Sequence, residues 1–151
     1  MGQLFKSLAE GRTVAEFSES LGLNVGVTGY AYHTVPVALF AWMRHPDDFS
    51  DALTSVLNCG GDTDTVGSIV GGLMGARVGI RGIPVDLIQG LCEWPRSVSW
   101  MERLSNRLAA QESSPKPLGP VGYFWPGILL RNVLFLLVVL AHGFRRLLPP
   151  Y

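Results

Sequence analysis

The stretch Gly60-Gly61-Asp62-Thr63-Asp64-Thr65 places two glycines directly before a pair of carboxylates. Glycine permits positive φ, so the backbone can turn tightly there. Asp and Thr are favoured at helix starts, and a helix is predicted to begin near Asp64 or Thr65. In a turn, Asp62 and Asp64 can point to one side, and the Thr65 hydroxyl adds a third oxygen. This oxygen-only set suits Mg²⁺, Mn²⁺ or Ca²⁺ rather than zinc.

Two interpretations of this turn stay open on spacing alone. In the first, the acidic and hydroxyl side chains are ordinary helix caps. In the second, they bind a metal ion, and the two carboxylates overcome the repulsion of a cation by the helix N-terminus.

The rest of the chain predicts helices and no strand of convincing length, so the predicted fold class is all-α. Thr13 and Glu16 form a capping box, which indicates a helix that ends at Gly22. Pro36 is suited to the first turn of a helix that ends near Arg44. Asp47 is suited to the N-cap of the helix that follows. The remaining predicted helices cover residues 48–58, 84–93 and 97–111, the last two started by Pro84 and Ser97.

Glycines recur every fourth residue in the helix after the turn, at Gly67, Gly71, Gly75 and Gly79. This spacing places them on one helix face. Each costs about 1 kcal/mol relative to alanine, so a close approach by another helix backbone is predicted. A membrane-embedded glycine seam is disfavoured because Arg77 and Arg81 interrupt the segment.

Composition sets broad limits on the class of protein. The 151 residues are 48% apolar and 16% charged with a formal net charge of zero, which suits one folded domain and gives no basic surface for nucleic acid. Cys59 and Cys92 lie in no zinc or disulfide pattern and indicate reduced thiols in the cytoplasm. The first ten residues are not expected to be a secretory signal.

The six-residue turn, its Gly/Ala-rich helix and Ile83-Pro84 resemble the C-terminal signature of the ADP-ribosylglycohydrolases. The stretches 29–36 and 45–49 are similar to that family too, and the resemblance extends from about Val14 to Arg107. It implies a compact all-α, multi-helix domain with a pair of Mg²⁺ or Mn²⁺ ions. The implied reaction is hydrolysis of the glycosidic bond between ADP-ribose and a protein side chain or small acceptor.

The resemblance also implies roles for single residues. Asp62, Asp64 and Thr65 would be metal ligands, and Asp62 and Asp64 would act in catalysis by holding the attacking water. Gly29, Tyr30 and His33 would line the ADP-ribose pocket, where an aromatic ring can stack on adenine. The implied partner is an ADP-ribosylated protein or another ADP-ribose conjugate.

One part of the family pattern is missing from this sequence. The family places a second ligand group, a Thr/Ser-Asp-Asp run, in its N-terminal half. Here the adjacent pair Asp47-Asp48 matches a helix-start position instead. The chain is therefore expected to be the C-terminal half of a catalytic domain, which a separate N-terminal half could complement. The alternative is a degenerate, non-catalytic fragment that binds ADP-ribose or metal, or is structural.

Three segments are predicted along the chain: the domain in residues 1–111, a linker in 112–120 and an apolar helical tail in 121–151. Val133 to Ala141 are nine consecutive apolar residues, and Arg145-Arg146 follow. Arg131 and Asn132 interrupt a longer apolar stretch. The tail could dock on protein, lie in a membrane interface or span a bilayer. The expected location is cytoplasmic, with membrane association through residues 124–148 left open.

Overall fold

The computed structural model describes residues 2–147, and helices dominate them. Strand-like pairing in this range is limited to one isolated parallel bridge, between Val27 and Gly61. The all-α prediction is confirmed. The elements are α1 (Gly2–Ala9), α2 (Val14–Ser20), α3 (Ala31–Arg44), α4 (Phe49–Leu57), α5 (Thr63–Val78), a 3₁₀ helix (Ile80–Gly82), α6 (Val85–Gln89), α7 (Val98–Glu112) and α8 (Trp125–Arg145).

The chain divides into two compact units, Met1–Leu87 and Ile88–Tyr151. The core of the first unit lies where α5 packs against α3 and α4, with α1 and α2 against α3. The rings of Phe17 and Phe40 stack in this core with their centroids 4.2 Å apart. The fully buried side chains Val37, Val56, Val66, Val70 and Met74 complete its centre.

Helix α1 was not predicted from the sequence. It buries Leu4 and Ser7 against the rest of the first unit. A short helix of eight residues is marginal by itself. Its stability comes from this packing, which the local sequence does not reveal.

Helix α3 begins earlier than the sequence suggested. The prediction that Pro36 lies in the first turn is wrong, because Pro36 is the sixth residue of the helix Ala31–Arg44. The first turn forms around the Tyr30 carbonyl, which accepts the backbone N–H of Thr34 at 3.0 Å and its hydroxyl at 3.1 Å. This double contact supports a helix start upstream of the proline.

The N-cap of α4 is Asp48 rather than the predicted Asp47. The Asp48 carboxylate accepts the backbone N–H of Asp51 at 2.9 Å. Asp47 instead forms an exposed ion pair with Arg77 of α5, at 3.2 Å. The ion pair of Asp47 with Arg77 is distant in the chain, so the local sequence did not show which of the two adjacent aspartates would cap α4.

The four glycines of α5 do not share one cause. A Cβ at Gly67 would lie 3.3 Å from the Leu57 side chain, whereas one at Gly71 would meet nothing within 4 Å. Gly79 is the C-cap of α5, with φ of 65°. In the part of the chain that the structure describes, side chains rather than another helix backbone approach this stripe, so the predicted backbone contact is wrong here.

The second unit contains α7 and α8. Ser97 caps α7 as predicted, accepting the N–H of Trp100 at 3.4 Å. The segment that follows α7 folds back against this helix. Gln111 accepts the Leu118 N–H at 2.6 Å, and Arg107 donates to the Gly119 carbonyl at 2.8 Å. Helix α6 ends at Gln89, before the predicted residue 93. The boundaries at residues 111 and 120 stay a prediction.

The capping box of α2 provides a stability test. Thr13 accepts the Glu16 N–H at 3.2 Å, and Glu16 accepts the Thr13 N–H at 2.7 Å. The backbone N–H of Thr13, and then its hydroxyl, lower the pKa of the Glu16 carboxyl. Thr13→Ala is expected to reduce the free energy of unfolding in urea by about 1 kcal/mol. Thr13→Ser keeps the hydroxyl and should retain most of that stability; equal losses in both variants would contradict the capping role.

Candidate metal centre

The Gly-Gly-Asp-Thr-Asp-Thr turn connects the end of α4 to the start of α5. Gly60 and Gly61 have φ of 70° and 80°, the left-handed region that favours glycine. Asp62 is the N-cap of α5, and its side chain accepts the backbone N–H of Thr65. The helix therefore starts at Thr63, one or two residues before the predicted start at Asp64 or Thr65.

A two-hydrogen-bond bridge joins this turn to the loop before α3. The Val27 N–H donates to the Gly60 carbonyl at 3.0 Å, and the Asp62 N–H donates to the Val27 carbonyl at 2.6 Å. Val27 is fully buried. A Cβ at Gly61 would collide with the Val27 carbonyl, so only glycine lets the two segments approach this closely.

One backbone N–H holds both acidic side chains of the turn. The Thr65 N–H lies 2.9 Å from Asp64 Oδ1 and 3.4 Å from Asp62 Oδ1. Two carboxylates that share one donor must lie on the same side of the helix start. Each keeps a second oxygen that is not used by this contact, and the residues are half-buried or exposed.

The titration of Asp62 reflects this proximity. Its contact with the Asp64 carboxyl, and then hydrogen bonds from Thr65, lower the pKa of Asp62. A lowered pKa means that charged Asp62 stabilises the fold above its unfolded pKa, and that this contribution is lost as pH falls through the folded pKa.

The bridge brings two of the sequence-predicted regions together. Gly29 lies against Asp62, because a Cβ at Gly29 would collide with Asp62 Oδ2. These residues belong to the implied ADP-ribose pocket and the implied metal turn. The next residue, Tyr30, is the N-cap of α3 and its ring is 59% exposed.

His33 is oriented by a residue that the sequence analysis missed. The Thr28 hydroxyl lies 2.8 Å from His33 Nδ1 and also accepts the Tyr30 N–H at 3.3 Å. The buried Thr34 hydroxyl donates to the Thr28 carbonyl at 2.8 Å. The Tyr30 ring meets the His33 ring edge-on, with centroids 5.3 Å apart. A threonine two residues before a helix N-cap was the available signal for this role.

The site has few protein ligands. Across residues 2–147, no group of three or more His, Cys, Asp and Glu side chains is arranged to hold a metal ion. Asp62, Asp64 and Thr65 nevertheless present oxygen donors of the type that Mg²⁺ and Mn²⁺ prefer. The donor set fits part of such a site.

Comparison with known proteins identifies the family. The sequence profile of the ADP-ribosylglycohydrolases matches residues 2–117, more than half of the chain. The chain belongs to the ADP-ribosylglycohydrolase family. The match begins upstream of Val14 and ends beyond Arg107, so it is longer than the resemblance in the sequence indicated. Whether the chain corresponds to the C-terminal portion of the family domain stays a prediction.

Two curated relatives are similar over a shorter stretch. The ADP-ribosylarginine hydrolase Tri1 of Pseudomonas putida (strain GB-1) is 29% identical over 89 residues, which are 59% of this chain and 22% of the relative. Tri1 of Serratia proteamaculans (strain 568) is 30% identical over 89 residues, 59% of this chain and 24% of the relative. The match thus spans less than a quarter of either relative. No solved structure gives a significant match.

The two glycines of the turn give a matched stability test. Gly60→Ala places a Cβ in open space at positive φ and should cost about 1 kcal/mol. Gly61→Ala adds the collision with Val27. Its free energy of unfolding should therefore fall by about 1–3 kcal/mol more than that of Gly60→Ala. Urea unfolding of both variants measures the difference. Equal losses would show that the bridge does not constrain the turn.

Proposed function

We propose that this chain supplies part of the catalytic site of a Mg²⁺- or Mn²⁺-dependent hydrolase that releases ADP-ribose from arginine. The observation that carries the proposal is the bridge between Val27 and the 60–62 turn. It holds Gly29, of the implied ADP-ribose pocket, against Asp62, the first implied metal ligand. Family membership supports hydrolysis of an ADP-ribosyl bond, and the names of both curated relatives support arginine as the linked residue.

In this proposal, Asp62, Asp64 and Thr65 hold the metal through their oxygens. When bound, a pair of divalent ions would orient the ribose hydroxyls and lower the pKa of a water molecule. Asp62 or Asp64 would accept a hydrogen bond from the attacking water and position it at the anomeric carbon. Hydrolysis breaks the bond from this carbon to the guanidine nitrogen. The carbon gains the water's hydroxyl, and the nitrogen gains the proton.

The substrate would enter along the loop before α3. The exposed Tyr30 ring offers a stacking surface for adenine, and its edge contact with His33 limits its rotation. Gly29 has no side chain, so a diphosphate or ribose can approach the backbone there. His33 acts in this scheme as a pocket residue rather than as an acid or base.

We further propose that a separate N-terminal half completes the site. This chain has no Thr/Ser-Asp-Asp run to provide the remaining ligands. Val25, two residues before Val27 in the chain, is 98% exposed, and Tyr32, whose ring lies 5.3 Å from the Tyr30 ring, is 77% exposed. In this proposal, these apolar side chains are available for contact with the N-terminal half. A cytoplasmic location for this assembly stays a prediction.

The missing ligand run also favours a second candidate, a non-catalytic ADP-ribose-binding fragment. Two carboxylates and one hydroxyl bind a divalent ion more weakly than a full ligand set does. The two candidates differ in turnover: only the first predicts ADP-ribose release once an N-terminal half is supplied.

The ligand assignment is tested by Asp62→Asn, with Asp48→Asn as the matched control. Both residues are helix N-caps whose side chains accept a backbone N–H, and asparagine caps as well as aspartate. The fold should therefore survive in both variants. We expect Asp62→Asn to weaken Mn²⁺ binding to the full chain at least tenfold by calorimetry, whereas Asp48→Asn should bind as the parent does.

The activity assay measures ADP-ribose release from ADP-ribosyl-arginine in Mg²⁺, with the chain alone and with an N-terminal half of a family member. We expect release with both halves and loss of release in Asp62→Asn. Activity that survives this change would refute the ligand assignment. Absence of release from the parent in both conditions would favour the non-catalytic candidate.

The contact between Gly29 and Asp62 is tested by Gly29→Ala. The added methyl must displace the Asp62 carboxylate, so Mn²⁺ affinity is expected to fall several-fold while helicity is unchanged. Gly71→Ala serves as the control, because its methyl meets nothing within 4 Å and alanine favours a helix. Unchanged affinity in Gly29→Ala would mean that this carboxylate does not bind the ion in the orientation seen here.

A further inference from the structure

Helix α8 is both apolar and exposed, and the exposure of apolar surface to water is unfavourable. It spans 21 residues, its most apolar window has a mean hydropathy of 2.0, and only 6% of that window is buried. A core helix of a soluble protein reaches such hydropathy only when most of it is buried. Something beyond the residues described here must cover α8.

The middle of α8 has no polar face. Residues 133–141 are all apolar, and nine residues make about two and a half helical turns, so they point in every direction around the axis. Phe135, Val138 and Leu140 are 63%, 54% and 44% exposed. A helix that lies flat in a membrane interface needs one polar side, and a helix that docks on one partner needs only one apolar stripe. Neither arrangement covers this segment.

The two ends of α8 carry different residues from its middle. Tyr123, Phe124 and Trp125 lie at its start, and the Trp125 side chain is 64% exposed. His142, Arg145 and Arg146 lie at its end. Aromatic and basic residues are enriched where helices leave the hydrocarbon of a bilayer. The 21 residues span about 30 Å, the thickness of that hydrocarbon.

Arg131, the charged residue in the interior of α8, is paired within the second unit. Arg131 donates to Glu93 at 2.9 Å and to Asn132 at 3.3 Å. Near this pair, Gly127 packs against the Trp94 ring, where a Cβ would lie 2.6 Å from the ring. Arg131 is also close enough to the start of α8 for its long side chain to reach the interface. Gly127 and Arg131 thus contact other residues of the second unit, whereas residues 133–141 are all exposed.

We propose that α8 inserts into the hydrocarbon of a lipid bilayer and anchors this chain to a membrane. A bilayer covers an apolar helix on all sides at once. A second copy of the helix would cover one side and leave the others in water. The inference is independent of the hydrolase proposal, since it uses no residue of the metal centre.

The test is flotation of the full chain, made by cell-free synthesis with phosphatidylcholine vesicles. We expect the chain to float with the vesicles, in high salt and after an alkaline carbonate wash. Leu137→Arg, at the centre of α8, should reduce the floated fraction at least tenfold. Leu137→Phe should float as the parent does. Leu108→Arg is the matched control, because it makes the same change at an exposed leucine of α7.

Three results would overturn the proposal. The parent could remain at the bottom of the gradient as a soluble oligomer, which would assign α8 to contacts between copies. It could float only with anionic vesicles and leave them in high salt, which would assign α8 to the membrane interface. Leu137→Arg could float as well as Leu108→Arg, which would show that α8 is not the inserted segment.

Discussion

The pair of backbone hydrogen bonds between Val27 and the 60–62 turn is the constraint on which the site depends. It links the corner between α4 and α5 to the loop that starts α3, two regions more than thirty residues apart in the chain. Both sides of the contact are glycine: a Cβ at Gly26 would lie 2.5 Å from the Gly61 nitrogen, and one at Gly61 would meet Val27. Because neither glycine has a side chain, the two backbones can come into contact. Gly29 lies against Asp62 as a result.

Features held by short-range hydrogen bonds were predictable from the sequence. The Thr13–Glu16 capping box and the Ser97 cap each join groups three residues apart, so local residue types determine them. Two of the errors came from contacts with residues distant in the chain. Asp47 pairs with Arg77 and leaves the capping of α4 to Asp48. Helix α1 depends on packing rather than on its own propensity.

The site shows the same division between local and distant information. Asp62, Asp64 and Thr65 were named from their spacing, because a turn followed by a helix start fixes their relative positions. The contribution of Val27 was not predictable, since a bridge of one residue pair leaves no periodic pattern. The α5 glycines gave the opposite error, because a periodic pattern was present without one cause. Their equal spacing suggested one shared contact, but Gly67 makes room for Leu57 and Gly79 permits a positive φ.

The two proposals have a joint consequence. The proposed half-site, with two carboxylates and one hydroxyl, would need its complement at a high local concentration, because a weak ligand set would add little binding energy to the assembly. Anchoring by α8 would confine the chain to a membrane surface. If the complementing half lies on the same membrane, association becomes a two-dimensional encounter at increased effective concentration. An apolar helix that forms no part of the metal centre would then help to complete it, by limiting where the two halves can meet.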